Sequence, residues 1–509
     1  MNRADPFTGY SFVLRTIVYV LVPAFTAFQL VRLRRALHVF QLEAYKRPNF
    51  RRWLRANRDK ATFSKPSTAK KPLVMTGRAW RILVTATLLS LFGVLLPSAF
   101  AHLVLGGAPA DLITWALATI ALFVWAPLLI PAADWLLTPV QRGINARYLR
   151  MARRKLRTIA PVVVGITGSY GKTSTKFAVG RLLGESDEVL VTPGSYNTTM
   201  GVVRAINENL EPRHRYFVVE MGARQRGDIA EIGRLVGHEI AVLTAIGVAH
   251  LESFGSPEAI KLGKLEIVGT LRSGGVAVVN SDDPTIRGLT DELAGVDVVR
   301  YGLEPEGRPD VTAADVEVTR AGTEMTIADR RSGATVRVTT KLLGRHSIGH
   351  VLAGVAVALQ AGRDLGSLRE PIAALTPVEH RLQLIEGAGG VTVLDDAFNS
   401  NPDGAAAALE VLGSMPARQR IVVTPGIVEL GELQREANEK LGRTAAEIAD
   451  VLIVVAPLNR DAIVAGAAGG KARVVTVGSL DEATKELAGV VGSGDVVLFE
   501  NDLPDQYEG

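Results

Sequence analysis

The sequence predicts an α/β protein, with two parallel-sheet domains behind a front that crosses a membrane. Three observations carry that expectation. The first 140 residues hold three long apolar runs. A strand leading into a glycine-rich loop and a helix begins near residue 160. From there to the C-terminus, short β-branched runs alternate with helical patterns. The length of 509 residues suits about three domains at roughly 150 residues each.

The apolar runs are Phe12–Val31, Ile82–Leu105 and Leu112–Ala133, and only the first holds a charge, Arg15. A helix of about 20 apolar residues crosses the hydrocarbon of a bilayer. Residues of about 12–31, 82–105 and 112–133 are therefore expected to be transmembrane. The first run is the marginal one, with Arg15 placed to snorkel to an interface. Arg32, Arg34 and Arg35 follow it with no small-residue cleavage site, which argues against a cleaved signal peptide.

Charge sets the orientation. From Arg32 to Arg81 there are 15 Lys and Arg against Glu43 and Asp59; Arg142–Arg157 adds seven and no acid; Gly106–Asp111 has no Lys or Arg. Cytoplasmic loops collect basic residues. The expectation is a multi-pass protein of the cell membrane with its catalytic body on the cytoplasmic side. Residues 1–158 carry 24 basic and 5 acidic side chains, and the remainder 33 and 47. The basic loops suit membrane lipid as a partner, although setting topology accounts for most of their charge. The acidic body leaves no expected role for nucleic acid. No ionisable pair falls inside a span, so transport has little support. The chain has no cysteine, which excludes disulfides, cysteine-ligated zinc, iron–sulfur clusters and a catalytic thiol.

The body opens with Pro161–Ile166, a buried-strand pattern running into Thr167-Gly-Ser-Tyr-Gly-Lys-Thr-Ser-Thr175 and a helical stretch through Leu183. This order cradles phosphate. Gly168, Ser169 and Gly171 can turn backbone N–H groups toward a phosphate chain, and Lys172 supplies a positive charge. Thr173 offers a hydroxyl to Mg²⁺, and Thr173-Ser174 open the helix whose N-terminus attracts anions. The loop misses the strict phosphate-loop pattern by one residue, because Ile166 stands where the first glycine belongs. An ordinary glycine-rich turn is the plainer reading, and Gly-Lys-Thr in this context argues against it. Two more apolar strands end in chemistry-bearing residues, Tyr216–Glu220 in a carboxylate and Ile240–His250 in an imidazole. Ligands of parallel α/β sheets collect at such strand ends. Lys264 and Glu266 follow on a helical stretch.

As a set, Thr-Gly-Ser-Tyr-Gly-Lys-Thr, Glu220-Met-Gly, His250-Leu-Glu-Ser-Phe-Gly-Ser and Lys264-Leu-Glu-Ile resemble the central domain of the Mur ligases, the ATP-dependent amide-forming enzymes of peptidoglycan precursor synthesis. Gly344-Arg-His-Ser-Ile-Gly-His350 is similar to the family's adenine-side motif. Leu394-Asp-Asp-Ala-Phe-Asn-Ser-Asn-Pro-Asp403 resembles the signature of its D-alanyl-D-alanine-adding branch. The resemblance spans about residues 160–500. It implies a P-loop-type Mur ligase central domain over 159–375 and a Rossmann-like C-terminal domain over 376–509, behind a membrane region at 1–158.

The resemblance also implies roles. ATP and two Mg²⁺ are the cofactors. Lys172 holds the γ-phosphate; Thr173 and Glu220 bind one Mg²⁺ and His250 a second; a carbamylated Lys264 is a further metal ligand. His350 faces the adenine, Arg381 the phosphates, Asp396 the ribose and Asn399 the adenylate side of the cleft. Asn197 and Thr198 lie near the acceptor carboxylate. The implied reaction joins D-alanyl-D-alanine or a related amine to a muramyl peptide carboxylate through an acyl phosphate. The peptide substrate is either a free small molecule or lipid-linked.

Several features depart from the family pattern. The nucleotide-sugar domain is replaced by the membrane region. Ser347 and His350 stand where Asn is usual. The substrate-reading Lys/Gly-Ser-Arg near the C-terminus is absent, and the chain ends Val-Leu-Phe-Glu-Asn-Asp-Leu-Pro-Asp505. Val423–Gly431 keeps the family's glycine turn in rearranged form. Two alternatives stay open: a membrane-associated ligase resembling poly-γ-glutamate synthase, and a nucleotide-sensing membrane scaffold without turnover.

Overall fold

The computed structural model describes residues 22–43, 45–56, 72–105, 108–184, 188–194, 196–248, 251–289, 293, 295–319, 322–398 and 400–502. The chain divides into two compact units, Met1–Arg147 and Tyr148–Gly509.

The first unit is helical. Its elements are α1 (Val22–Leu42), α2 (Arg47–Ala56), α3 (Gly77–Leu105) and α4 (Ala108–Leu136). Among the described residues, two helical stretches, Gly77–Pro97 and Ala116–Leu136, are long and apolar enough to cross a membrane. The first expected span, 12–31, lies largely outside the described residues. The chain beyond it continues as α1 to Leu42, so the arginines expected just past a span sit on a helix packed along α3 and α4. The α1 stripe of Leu33, Ala36, Leu37 and Phe40 meets Ala79, Ile82, Leu83 and Ala86 of α3 and Ala126, Ile130 and Ala133 of α4. This is helical i, i+3, i+4 spacing on every partner. Gly93 lets α3 and α4 approach closely: a Cβ there would lie 3.0 Å from Leu122 Cδ1.

The helix α5 (Thr138–Ile159) runs from the first unit into the second. The second unit begins with a nine-stranded sheet. Its strands are β1 (Val162–Thr167), β2 (Val189–Val191), β3 (Tyr216–Glu220), β4 (Ile240–Leu243), β5 (Val276–Asn280), β6 (Asp297–Tyr301), β7 (Val311–Thr319), β8 (Gly322–Asp329) and β9 (Thr335–Thr340). The order is β2-β3-β1-β4-β5-β6-β7-β8-β9. The β2-to-β6 part is parallel, and β7-β8-β9 is an antiparallel meander on its edge. The stretch expected as a small β insertion, Asp310–Lys341, thus extends the main sheet.

Helices cover both faces, as parallel strands require. One face carries α6 (Lys172–Leu183) and α10 (Arg345–Gln360), packed through Ala178, Val179, Leu182, Val351, Leu352 and Val355. Gly354 permits their contact, since a Cβ there would lie 2.8 Å from Leu182. The other face carries α7 (Thr199–Asn209), α8 (Asp228–Val236), α9 (Pro257–Gly269) and the end of α5, through residues such as Val202, Ile206, Ile229, Ile232, Ile267 and Leu156.

The last part of the chain forms a six-stranded sheet in the order β10-β11-β15-β12-β13-β14. The strands are β10 (Gln383–Glu386), β11 (Thr392–Asp396), β12 (Arg420–Thr424), β13 (Val451–Val455), β14 (Arg473–Val477) and β15 (Val496–Glu500). The five from β11 on are parallel and match the sequence expectation. The edge strand β10 is antiparallel to β11, so the sheet is mixed. Between strands run α11 (Pro402–Ser414), α12 (Gln434–Ile448), α13 (Arg460–Ala467) and α14 (Leu480–Val490).

Candidate active site

The site gathers at the carboxyl ends of β1, β3 and β4. β1 is apolar and buried from Val163 on, and the chain leaves it through Gly168. Only glycine fits there: a Cβ on Gly168 would lie 2.0 Å from Thr244 Oγ1, just past β4. The loop is laced to that segment. Ser169 N–H donates to Ala245 O (2.8 Å), Ser169 Oγ to Gly247 O (2.9 Å), and Thr244 Oγ1 to Tyr170 O (2.5 Å). Gly171 closes the loop at φ +77°, a left-handed conformation, and no side chain caps α6 behind it. The first-turn N–H groups of Lys172, Thr173 and Ser174 are thereby left for an anion.

Lys172 folds back over this loop, donating to Gly168 O (2.7 Å) and Ser169 O (3.1 Å). Desolvation, opposed by nearby Glu220 and aided by Arg381, brings its pKa down to about 8. Glu220, at the end of β3, is buried. Thr173 Oγ1 and Lys176 Nζ meet its Oε2 at 3.1 and 3.2 Å, and Asn197 Nδ2 donates to Oε1 at 3.0 Å. Burial alone would raise this carboxyl, but Lys176, Asn197 and Lys172 together hold it below its ordinary range. Sequence reading missed Lys176. It is fully buried, and its Nζ also donates to Gly194 O at 2.6 Å. The available signal was its place one helical turn after Lys172 on α6, on the side of the strand ends.

The other expected residues fall around this cluster. Thr198 caps α7, accepting from Gly201 N. Lys264, on α9, is 2% exposed with its Nζ 5.9 Å from the centre of the Phe254 ring. Burial, and then Lys172, push its pKa well down, against the pull of Asp228 and Glu266. Glu266 itself is engaged elsewhere, accepting from Gly227 N and Ala230 N. His350, on α10, meets Thr175 Oγ1 through Nδ1 at 3.0 Å and backs onto the phosphate loop, where a Cβ on Gly171 would lie 2.8 Å from it. Burial, His346 and Arg381 bring its pKa down to about 3, so it is neutral. Ser347 Oγ lies 3.3 Å from His346 Nε2. His250 and Asn399 lie outside the described residues. Among the described residues no group of three or more His, Asp or Glu gathers as a metal site.

The C-terminal sheet contributes Arg381, close enough to Lys172, His350 and Glu220 to act on their charges. The turn that delivers it is strained: His380 and Leu382 sit at φ +59° and +45°. It is held by Leu382 N–H donating to Asp396 Oδ1 (3.0 Å) and by Phe398 N–H donating to His380 O (3.2 Å). The guanidinium lies over the Phe398 ring at 4.4 Å. Such strain at non-glycine residues persists only where surrounding contacts over-determine it. Burial raises Asp396 to about 6. His380 Nδ1 meets Asp395 Oδ2 at 2.7 Å. The Tyr170 hydroxyl of the phosphate loop donates to Asp403 at the start of α11, joining the two sheets' site elements directly. The arrangement can hold a polyphosphate on α6 and bring positive charge to it from both sides, which suits phosphoryl transfer.

The chain is similar to known proteins in sequence and in fold. Residues 166–358 match the model of the Mur ligase middle domain, and residues 380–500 that of the Mur ligase glutamate ligase domain. The chain is 32% identical over 365 residues to the UDP-N-acetylmuramoyl-tripeptide–D-alanyl-D-alanine ligase of Mycobacterium tuberculosis (strain H37Rv), covering 66% of this chain and 70% of that protein. It is 33% identical over 283 residues to the ligase of the same name from Escherichia coli K12, covering 56% and 62%. Among solved structures, MurF from Acinetobacter baumannii aligns with a TM-score of 0.64 at 25% identity, covering 71% of this chain and 78% of that one. MurF ligase from Thermotoga maritima in complex with ADP aligns with a TM-score of 0.62 at 28% identity, covering 70% and 80%.

Proposed function

The chain belongs to the Mur ligase family, whose members are ATP-dependent ligases, and from that premise we propose that it joins D-alanyl-D-alanine or a related amine to the terminal carboxylate of a muramyl tripeptide in peptidoglycan precursor synthesis. The observation that carries the reading is the Thr173–Glu220–Asn197 cluster beside Lys172, with Arg381 facing it from the second sheet.

In this reading the carboxylate of the acceptor attacks the γ-phosphorus of ATP, and the bond to the bridging oxygen breaks to release ADP. The amine then attacks the acyl phosphate, a C–N bond forms, and inorganic phosphate leaves with the acyl C–O bond broken. Lys172, the N–H groups opening α6, and Arg381 stabilise the charge that gathers on the transferring phosphoryl group. Gly168, Ser169, Gly171 and Ser174 shape the cradle. Asp396 and Asn399 hold the nucleoside side, and neutral His350 offers hydrogen bonding beside the loop. Asn197 and Thr198 orient the acceptor.

The donor set fits Mg²⁺, a hard cation that prefers oxygen. Thr173 and Glu220 would hold one ion, and His250 with a carbamylated Lys264 a second; bound Mg²⁺ supplies charge neutralisation on the phosphates. Lys264 fits carbamylation, because burial keeps its amine neutral and hence nucleophilic toward CO₂, giving N–COO⁻ and a released proton. Residues 1–158 anchor the enzyme in the cell membrane and contact its lipid, with the catalytic domains 159–375 and 376–509 on the cytoplasmic side. Two apolar helices and the basic flanks support this anchoring.

The test is to incubate detergent-purified full-length protein with ATP, Mg²⁺, UDP-N-acetylmuramoyl-tripeptide and D-alanyl-D-alanine and to follow product by mass spectrometry. One joined adduct with stoichiometric ADP is expected. Lys172→Ala should lower its rate by about 10²–10³-fold. Undiminished ligation by Lys172→Ala refutes the mechanism.

A further inference from the structure

The first unit carries a basic helix that the catalytic reading does not use. α2 reads Arg-Pro-Asn-Phe-Arg-Arg-Trp-Leu-Arg-Ala. Its apolar residues are turned into the helical unit: Phe50 is fully buried, edge-on to Phe40 of α1 at 5.3 Å, and Trp53 stacks on Phe50. Arg51, Arg52 and Arg55 are exposed. An interfacial helix that inserts does so by its apolar face. Here that face is already covered, so α2 presents arginines outward and no insertion surface.

Two independent features fix the level at which α2 lies. Arg47, its first residue, bonds Asp134 at 2.9 Å and Thr138 at 2.6 Å, at the end of α4. Arg78, at the start of α3, bonds the other Asp134 oxygen at 2.8 Å. The buried Asp134 is thus shared by two arginines, and α2 is tied to the end of the apolar pair where both helices begin or finish. At that same end Trp80 and Trp135 are 55% and 67% exposed. Exposed tryptophans at the ends of apolar helices mark the membrane–water interface. Away from that end, α3 and α4 expose Val84, Leu88, Phe92, Leu117, Ile120 and Val124, a surface that the hydrocarbon of a bilayer would cover favourably. α2 therefore lies at headgroup level.

We propose that α2 is a binding shelf for the phosphates of anionic phospholipid, with Arg51 and Arg55 as the contact residues. The charge is complementary, since Asp134 is neutralised by its own two arginines and the α2 segment from Arg47 to Ala56 has no acid. The guanidinium fork matches phosphate oxygens better than an ammonium does. The proposal rests on the membrane anchoring argued above.

The test uses the full-length chain in mild detergent, titrated with phosphatidylglycerol, phosphatidylcholine or a polyprenyl diphosphate and read by native mass spectrometry. Wild type should retain phosphatidylglycerol in preference to phosphatidylcholine. The variant Arg51→Gln/Arg55→Gln should lose about fivefold of that preference per arginine, while Arg51→Lys/Arg55→Lys keeps most of it. Unchanged carbonate-resistant membrane association and unchanged thermal melting in detergent show that the helical unit of both variants is intact. Equal retention of the two phospholipids by wild type, or an unaltered preference in the glutamine variant, overturns the proposal. So does a stronger preference for the polyprenyl diphosphate, which would make the shelf a substrate site. Carbonate extraction of cell membranes separates the two levels: wild type released by carbonate refutes the anchoring itself, whereas a carbonate-resistant protein without lipid preference refutes only the shelf.

Discussion

Lys176 and Glu220 form a buried ion pair in which each partner also has neutral hydrogen-bond partners. Removing one member of such a pair costs about 3–5 kcal/mol, because the other charge stays buried alone. Lys176→Met should therefore lower the thermal midpoint sharply, and Lys176→Met/Glu220→Leu should recover much of that loss while remaining inactive. Failure of the double variant to recover would assign the role of Lys176 to its bond with Gly194 O. Glu500, 1% exposed, has the opposite problem. Burial and Asp396 hold its carboxyl well above the ordinary range, against the bond from Ser400, and its Oε2 has no partner among the described residues. A carboxyl raised in the folded state keeps its proton after the unfolded chain has lost its own. Stability therefore falls as pH climbs from the ordinary carboxylate value of 4.5 through the raised one. Glu500→Gln should melt above wild type at pH 8, with the gap closing toward pH 4.5. A gap independent of pH would assign the effect to packing.

At the scale of elements, local chemistry and tertiary position compete for the same residues. Thr198 is both an expected acceptor contact and the N-cap of α7. Replacing a threonine N-cap by alanine costs about 1 kcal/mol. Thr198→Ala should show that loss in thermal melts and should also raise KM for the acceptor peptide with KM for ATP unchanged; an unchanged acceptor KM would reduce Thr198 to a cap. The strands β11 to β15 were legible because each carries at least two consecutive β-branched residues, such as Ile453–Val455. β10 was not, because Gln-Leu-Ile-Glu is half exposed and acquires its partner only by lying beside β11. The phosphate loop was legible despite Ile166. The glycine missing there is not needed, since Ile166 is still in the buried strand β1 and the chain's close approach to Thr244 occurs at Gly168.

For the whole molecule, the division at Arg147/Tyr148 gives the rear of α5 to the catalytic unit, where Ala152 and Leu156 enter its core and Lys155 Nζ donates to Asn207 O at 3.0 Å. A chain beginning at Tyr148 should fold and bind ATP without detergent. One beginning at Ile159 should be less stable by about 1.5–3 kcal/mol, the burial of one leucine, as read by denaturant midpoints; equal midpoints would show that α5 serves only as a link. The sequence by itself determined the α/β class of the two sheet domains and the phosphate loop, and it singled out Lys172, Thr173, Glu220 and Asn197, which the fold brings together. Those depend on contiguous patterns: apolar runs of membrane length, β-branched strands, and glycine next to Lys-Thr, whose physics acts within a few residues. Only the tertiary structure decided that Lys176 neutralises Glu220, that a strained turn at His380–Leu382 aims Arg381 at the loop, and that Arg47 and Arg78 share Asp134. Each of these joins charges far apart in the chain. Their pairing is set by burial, which makes an unpaired charge costly, and burial is a property of the packed molecule alone.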